Sequence, residues 1–157
     1  MLLLAAIRAT RYNPPMLGYR FFHPTDVRYG DLDPQGHLNN AKYLTYFEQA
    51  RVRYWTELGF FSKDRSFAEL GVIVADIHIR YRAPVHWGTA VKVGVQTTSI
   101  GRKSLTVEQC VVDDSESRAY ADGTVVLVAY DYVKHETMPV PNVWRERIQR
   151  YEGRQLS

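Results

Sequence analysis

The side chains best suited to chemistry lie close together near the start of a predicted helix. They are two carboxylates two positions apart, one histidine and two consecutive asparagines: Asp31, Asp33, His37, Asn39 and Asn40. A carboxylate can take a proton from water or attack an electrophilic carbon. The first turn of a helix has free N–H groups and a partial positive charge, so it can hold a polar oxygen. The stretch therefore predicts a reactive carboxylate that faces an oxygen-binding helix start.

The helix that would position these groups is predicted over residues 41–58. Asn39 and Asn40 are good N-cap residues, and neither Gly nor Pro follows them until Gly59. Apolar residues recur at helical spacing and form one broad face: Leu44, Phe47, Tyr54, Trp55 and Leu58. Before the helix, residues 21–29 predict a strand, and the Asp, Pro and Gly of residues 31–36 predict a loop.

Period-two patterns predict four more strands after the helix, within residues 72–82, 91–98, 105–111 and 120–133. We expect one apolar face of the first of these strands to pack against the helix: Ile73, Ala75, Ile77, Ile79 and Tyr81. Gly123, inside the last strand, predicts a bulge or a close backbone approach. Residues 143–151 predict a short amphipathic helix. One long helix with about five strands, the later ones antiparallel, indicates an α+β fold.

Composition limits the classes of protein that this chain can belong to. Its 157 residues suit one domain, and a hydrophobic content of 45% excludes a disordered chain. The net charge of +3 is spread along the sequence, which argues against a nucleic-acid-binding protein. Cys110 is the single cysteine, so we expect a packed thiol in a reducing cytoplasm, with no disulfide and no metal site. No window approaches the ~20 apolar residues of a membrane span.

The stretch that begins at Tyr29 resembles the hotdog-fold acyl-CoA thioesterases of the 4-hydroxybenzoyl-CoA thioesterase type. The matching residues are Tyr29, Gly30, Asp31, Asp33, Gly36, His37, Asn39, Asn40, Tyr43, Glu48 and Arg51. The resemblance, which extends over residues 22–141, implies an antiparallel sheet of about five strands wrapped around one long central helix. Together with the sequence patterns, it predicts an N-terminal arm (1–20), a hotdog thioesterase domain (21–141) and a C-terminal short helix and tail (142–157). It also implies a homodimer or homotetramer, and no cofactor beyond the coenzyme A of an acyl-CoA substrate.

The resemblance also assigns roles to individual residues. Asp33 is the catalytic residue, as general base or nucleophile in thioester hydrolysis. The backbone amide of Asn40 polarises the acyl carbonyl, and Tyr43 binds substrate. His37 could act as a base or as a donor to the thioester, although a structural histidine is the simpler interpretation. For Asp31 we expect a structural role.

Other charged residues have weaker claims to the site. By the same resemblance Arg102 and Lys103 lie in a loop expected near the phosphates of coenzyme A, with two weaker rivals, Arg80 and Arg82. Glu48 and Arg51 are three apart on the helix and predict an ion pair of small value at the surface or at an interface. The remaining histidines have no recognisable partner spacing and receive no role: His23, His78, His86 and His135.

Two alternatives remain open beside the acyl-CoA thioesterase. One is a non-catalytic module that binds an acyl thioester or a protein partner, because the catalytic set reduces to a single Asp in a turn. The other is a thioesterase that acts on acyl-carrier protein. A hotdog hydratase is less favoured, because that family's pattern places a His five residues after the catalytic Asp, whereas Asp33 and His37 are four apart.

Overall fold

An antiparallel sheet with a long helix on one face forms most of the protein. A computed structural model describes residues 18–62, 64, 66 and 71–157. The strands are β1 (Phe21–Thr25), β2 (Val72–Tyr81), β3 (Val91–Ile100), β4 (Ser104–Asp113), β5 (Ala119–Asp131) and β6 (Glu136–Thr137). The helices are a short 3₁₀ turn (Tyr29–Asp31), α1 (Asn40–Glu57) and α2 (Asn142–Glu152). No helix in these ranges is long and apolar enough to cross a membrane.

The strand order places the segment that follows α1 at one edge of the sheet. The order is β1-β3-β4-β5-β2, every pair is antiparallel, and β6 pairs with the end of β5. β1 and β2 are therefore at opposite edges, although they are neighbours among the strands in sequence. The predicted α+β architecture is confirmed, with six strands rather than about five because the two-residue β6 adds one.

Helix α1 begins and ends within one residue of its prediction. Asn39 is the N-cap, and its side-chain oxygen accepts a hydrogen bond from the Ala41 N–H at 3.0 Å. At the other end Gly59 has a φ of 74°, the left-handed conformation that follows many helices. The side chains that α1 buries against the sheet lie at helical spacing: Tyr43, Tyr46, Phe47, Ala50 and Tyr54. Leu44, which we expected on this apolar face, is instead 38% exposed.

A bulge changes which side chains of β2 face the helix. The pairing register with β5 shifts between Val74 and Asp76, so that Val74 lies opposite Leu127 and Ile77 lies opposite Val125. Leu127 and Val125 are buried core residues, and side chains of directly opposed residues share a face of the sheet. Val74 and Ile77 therefore both lie on the helix side, because the extra residue inverts the alternation.

The prediction for β2 was consequently wrong in two respects. Ile73 and Ala75 do not share a face with Ile77, because Ile73 precedes the bulge and Ala75 forms it. The helix-side face is also only partly covered, since Ile79 packs against the core but Val74 is 49%, Ile77 37% and Tyr81 48% exposed. β2 is an edge strand whose apolar inner face remains partly open.

The predictions for Gly123 and for the C-terminal helix are confirmed. A Cβ added at Gly123 would lie 2.5 Å from the His78 carbonyl oxygen and 2.8 Å from a ring carbon of Phe47, so its absence lets α1 approach the sheet. Helix α2 buries Ile148 and the carboxylate of Glu152, which accepts a hydrogen bond from the Thr97 N–H at 2.9 Å. Of the predicted N-terminal arm, residues 1–17 lie outside the described part, and the proposed division into domains stays a prediction.

Candidate functional site

A short loop carries Asp33 to the start of α1. Leu32 and Leu38 form an isolated antiparallel bridge, and the Asp33 N–H donates to the His37 carbonyl at 2.8 Å. The turn between them depends on Gly36, which has a φ of 76° and donates its N–H to the Asp33 carbonyl at 3.0 Å. The loop is therefore closed by its own main chain, which fixes the position of Asp33.

The Asp33 carboxylate uses one oxygen for structure. Its Oδ1 accepts hydrogen bonds from the N–H groups of Gln35 at 2.9 Å and His37 at 3.1 Å. Its Oδ2 accepts no hydrogen bond from any residue that the structure describes, and the side chain is only half-buried. The first oxygen thus orients the carboxylate, while the second is available to a water molecule or a substrate.

The start of α1, which follows the Asp33 loop, offers a free donor. Two of the first amides are already used, because the Asn39 side chain accepts from Ala41 and the Asn39 carbonyl accepts from the Lys42 N–H at 2.9 Å. The N–H of Asn40, the first helical residue, donates to no acceptor within the described ranges. Because the N-terminus of a helix carries partial positive charge, this amide is suited to a developing oxyanion.

Asp31 is buried and binds residues on both sides of the Asp33 loop. It is 1% exposed, and its carboxylate accepts hydrogen bonds from Arg28 Nε at 2.9 Å and from the Tyr46 hydroxyl at 2.9 Å. Its main-chain carbonyl accepts from the Asn39 N–H at 2.9 Å. The hydrogen bonds from Arg28, with a further one from Tyr46, lower the pKa of Asp31 to about 2. Both oxygens are occupied, which agrees with a structural role.

The low pKa of Asp31 predicts a pH-dependent contribution to stability. The native pKa of about 2 is below the ordinary value of 3.8, so the stabilisation is complete above about pH 5 and is lost as the pH falls through 3.8 towards 2. Because Arg28 is exposed to solvent, we expect Asp31→Asn to lower the free energy of unfolding by about 1–2 kcal/mol at pH 7. Urea unfolding of both proteins at pH 7 and at pH 2.5 measures this. An equal difference at the two pH values would contradict the assignment.

Tyr43 and His37 both lie beside Asp33, in different environments. Tyr43 is 3% exposed, and its pKa is raised to about 12 mainly by burial, with smaller contributions from Tyr81 and Asp33. The His37 ring is half-buried and packs edge-to-face on His86, with ring centroids 4.9 Å apart. No hydrogen bond to either imidazole is formed by the described residues. The ring contact between His37 and His86 could not be predicted from their spacing, because the two residues are far apart in sequence.

The structure does not bring Arg102 and Lys103 to the site within one chain. They lie in the hairpin between β3 and β4, and Lys103 Nζ donates to the carbonyl and hydroxyl oxygens of Thr137 at 3.1 and 2.7 Å. Arg145 of α2 donates to the Ile100 carbonyl in this hairpin at 3.1 Å. α2 also contacts the C-terminal end of α1. This end is about 27 Å along the helix from the N-terminal end, which follows the Asp33 loop.

The two alternative candidates for a contact with coenzyme A form ion pairs within the sheet. Arg80 and Arg82 both form ion pairs with Asp122 of β5, at 3.2 and 2.5 Å. Cys110 is 1% exposed, and burial raises its pKa to about 12, as a packed thiol requires. Within the described ranges no three His, Cys, Asp or Glu side chains are grouped so that they could hold a metal ion.

Arg51 differs from its prediction as a partner of Glu48. It is only 7% exposed, and its Nη1 donates to Gln109 Oε1 at 2.9 Å. Gln109 is fully buried on β4, and its Nε2 donates to the Phe47 carbonyl at 2.8 Å. Burial lowers the pKa of Arg51, while the charge of Glu48 acts in the opposite direction. The prediction of an ion pair with Glu48 is therefore wrong, because Arg51 faces the sheet and binds the side-chain amide of Gln109.

Comparison with known proteins identifies the family. The sequence profile of the Thioesterase-like superfamily matches residues 27–148, which contain the Asp33 loop and all of α1. The chain belongs to this superfamily. The prediction of a hotdog fold is thereby confirmed, and so is the prediction of a thioester hydrolase as the class of protein. The narrower 4-hydroxybenzoyl-CoA type that the motif resembles is not distinguished from other members by this match.

Relatives within the superfamily cover nearly the full domain. The chain is 27% identical over 128 residues to the long-chain acyl-CoA thioesterase FadM of Escherichia coli K12, covering 78% of this chain and 92% of FadM. A thioesterase of Thermus thermophilus, solved with coenzyme A and Zn, is 39% identical with a TM-score of 0.78. That match covers 90% of this chain and 100% of the other. The acyl-CoA thioester hydrolase YbgC of Escherichia coli O157:H7 is 24% identical over 121 residues, covering 77% of this chain and 90% of YbgC.

Proposed function

We propose that this protein is an acyl-CoA thioesterase, which hydrolyses an acyl thioester to the free acid and coenzyme A. The observation that carries the proposal is the Asp33 carboxylate, held through one oxygen and free at the other, on the loop that leads into α1, where the N–H of Asn40 is unused. The activities for which FadM and YbgC are named, and the coenzyme A bound to the Thermus thermophilus relative, support the same substrate class.

In the proposed mechanism the acyl carbonyl oxygen binds at the N-terminus of α1. The Asn40 N–H and the helix dipole stabilise the negative charge that develops on this oxygen. As general base, Asp33 removes a proton from water, whose oxygen attacks the carbonyl carbon, and the carbon–sulfur bond breaks to release the thiolate. As nucleophile, Asp33 attacks the carbon itself and the thiolate leaves, which forms a mixed anhydride that water then hydrolyses. Label in the Asp33 side chain after a single turnover in ¹⁸O-labelled water would show the nucleophilic route with attack of water on the aspartyl carbon, because the general-base route places the label only in the free acid.

We also propose that the protein functions as a homodimer or homotetramer assembled along β2. This strand is a sheet edge, and unpaired edges favour pairing with another chain. In an antiparallel pair of β2 strands, the partner's hairpin end would lie beside the α1 N-terminus of this chain. That arrangement would allow the exposed Arg102 of one copy to approach coenzyme A bound at Asp33 of the other. Light scattering should then give an even multiple of the chain mass; a monomeric mass would contradict this.

The test of the proposed activity is release of free thiol from acyl-CoA. We expect thiol release that follows saturation kinetics with at least one aliphatic acyl-CoA. Binding of acyl-CoA without thiol release would support the non-catalytic module, and release from acyl-carrier protein alone would support the carrier-protein alternative. The cytoplasmic location predicted from the sequence remains a prediction.

A further inference from the structure

The exposed part of the inner face of β2 forms one wall of a groove along α1. The groove has a volume of about 1030 Å³, and Leu127 of β5 lies at its floor. Most of its exposed surface is apolar, and the apolar residues come from both walls: Val52, Trp55, Val72, Ile73 and Val74. Arg51, whose guanidinium is bound to Gln109, reaches the groove with little of its surface. Concave, mostly apolar sites of this order of size bind small molecules in proteins.

The helix-side face of β2 leads from the α1 N-terminus to this groove, whose lining begins at Thr45 of α1 and Val74 of β2. Tyr81, at the end of β2, donates its hydroxyl to the Asn40 carbonyl at 3.0 Å, and its ring packs edge-to-face on Tyr43 with centroids 5.2 Å apart. From Tyr81 the helix-side residues of β2 lead away from Asn40 through Ile77 and Val74. The facing stripe of α1 consists of residues at helical spacing: Ala41, Thr45, Glu48, Val52 and Thr56. A chain whose carbonyl is held at Asn40 therefore has a path between α1 and β2 whose apolar side chains come mainly from β2, with Val52 on the helix.

The helix provides a length scale for this path. At 1.5 Å per residue, Thr45 is about 7 Å, Val52 about 18 Å and Thr56 about 24 Å from Asn40 along the axis. An extended hydrocarbon chain advances about 1.3 Å per carbon, given C–C bonds of about 1.5 Å. A chain of about 6 carbons thus reaches Thr45, and one of about 14 carbons reaches Val52. A benzoyl ring ends about 5 Å from its carbonyl and stops short of Thr45.

We propose that this groove binds the acyl chain, and that the preferred substrate carries a straight aliphatic chain of about 12–18 carbons rather than a short or aromatic group. The inference rests on the proposed thioesterase function and specifies the substrate of that same site. The polar side chains at the rim, Glu48, Gln49 and Arg53, are exposed and can extend into water, which leaves the apolar walls to the chain. We expect a second copy that pairs with the edge of β2 to bind its main-chain N–H and C=O groups rather than the side chains of this inner face.

Two blocking substitutions at different distances from Asn40 test the proposal. For the native protein we expect kcat/KM to rise about threefold for every two carbons from C6 to C16 acyl-CoA, because an open groove buries each methylene only partly and full burial of two would give about fifteenfold. Val52→Trp should reduce kcat/KM at least about tenfold for C16 and leave C8 unchanged. Thr45→Trp should also reduce kcat/KM for C8 acyl-CoA and leave kcat/KM for C4 acyl-CoA unchanged. The cut-off in chain length should therefore move with the position of the block.

A matched control and two contradicting outcomes complete the test. Val143→Trp introduces the same ring at a 49% exposed position of α2, outside the groove, and should leave the chain-length profile unchanged. A native preference for benzoyl-CoA, or equal losses at every chain length in both blocked variants, would overturn the proposal. A change in oligomeric mass with an unchanged profile would show that a second copy occupies the groove instead.

Failure of the proposed function would be distinguishable from failure of this inference. If no acyl-CoA is hydrolysed, the groove is tested with non-hydrolysable alkyl-CoA thioethers by calorimetry. Affinity that rises with chain length and falls at the cut-off of each blocked variant would support the groove without catalysis. Affinity independent of chain length would overturn it.

Discussion

Replacing Asp33 by asparagine is expected to lower kcat for thioester hydrolysis by about 10²–10⁴-fold, the usual contribution of a catalytic base. The substitution is nearly isosteric, and an asparagine Oδ1 can accept the same hydrogen bonds from Gln35 and His37. The loop should therefore keep its geometry, while the free carboxylate oxygen is replaced by an NH₂ group that can neither accept a proton nor attack the carbonyl. Thiol release under saturating acyl-CoA measures the effect, and an unchanged melting temperature shows that the fold is intact.

Asp113 provides a matched control for this substitution. It also closes a loop, at the end of β4, by accepting a hydrogen bond from the Arg118 N–H at 2.9 Å and further ones from two serine hydroxyls. Asp113→Asn therefore changes a loop carboxylate of similar type that lies outside the site, and kcat should stay within about twofold of the native value. Native turnover in Asp33→Asn would show that Asp33 has no catalytic role, whatever the result at Asp113.

The parts of the structure that could be predicted are those fixed by local sequence. Helix α1 was predicted within one residue at each end, because Asn39 and Gly59 act on neighbouring amides and carbonyls. The strands after α1 followed from period-two patterns for the same reason, whereas the strand predicted over residues 21–29 ends at Thr25 and a 3₁₀ turn begins at Tyr29. Asp33 was different, since an Asp before a Pro is most simply a turn residue. Only the resemblance of the whole motif pointed to Asp33 as the catalytic group.

The features that escaped prediction depend on contacts between distant residues. Gln109 binds Arg51 across 58 positions, and nothing in the spacing of either residue indicates the pair. No glycine in the sequence indicates the bulge at Ala75, yet the bulge determines which side chains of β2 face the groove. The alternating pattern also could not show that α1 leaves this face uncovered, because the position of a helix over a sheet is set by packing along its entire length.

Replacing Gln109 by leucine is expected to lower the free energy of unfolding by about 3–5 kcal/mol, because it leaves the buried Arg51 guanidinium without its hydrogen-bond acceptor. Leucine is similar in volume, so the loss should come from the uncompensated charge rather than from a cavity. Urea unfolding at pH 7 measures the effect. Gln96→Leu is the matched control on the neighbouring strand, because its partner Arg154 is exposed and can bind water instead, and it should cost about 1 kcal/mol.

The double variant Arg51→Met with Gln109→Leu separates charge burial from packing. Replacing both members of a buried polar pair by apolar side chains removes the stranded charge, so the double variant should be more stable than Gln109→Leu alone by at least about 1 kcal/mol. A double-mutant cycle then gives the coupling energy of the pair. If the losses in the two single variants simply add, Arg51 does not depend on Gln109. The buried guanidinium would then have to be stabilised by the helix and the surrounding solvent rather than by the amide of β4.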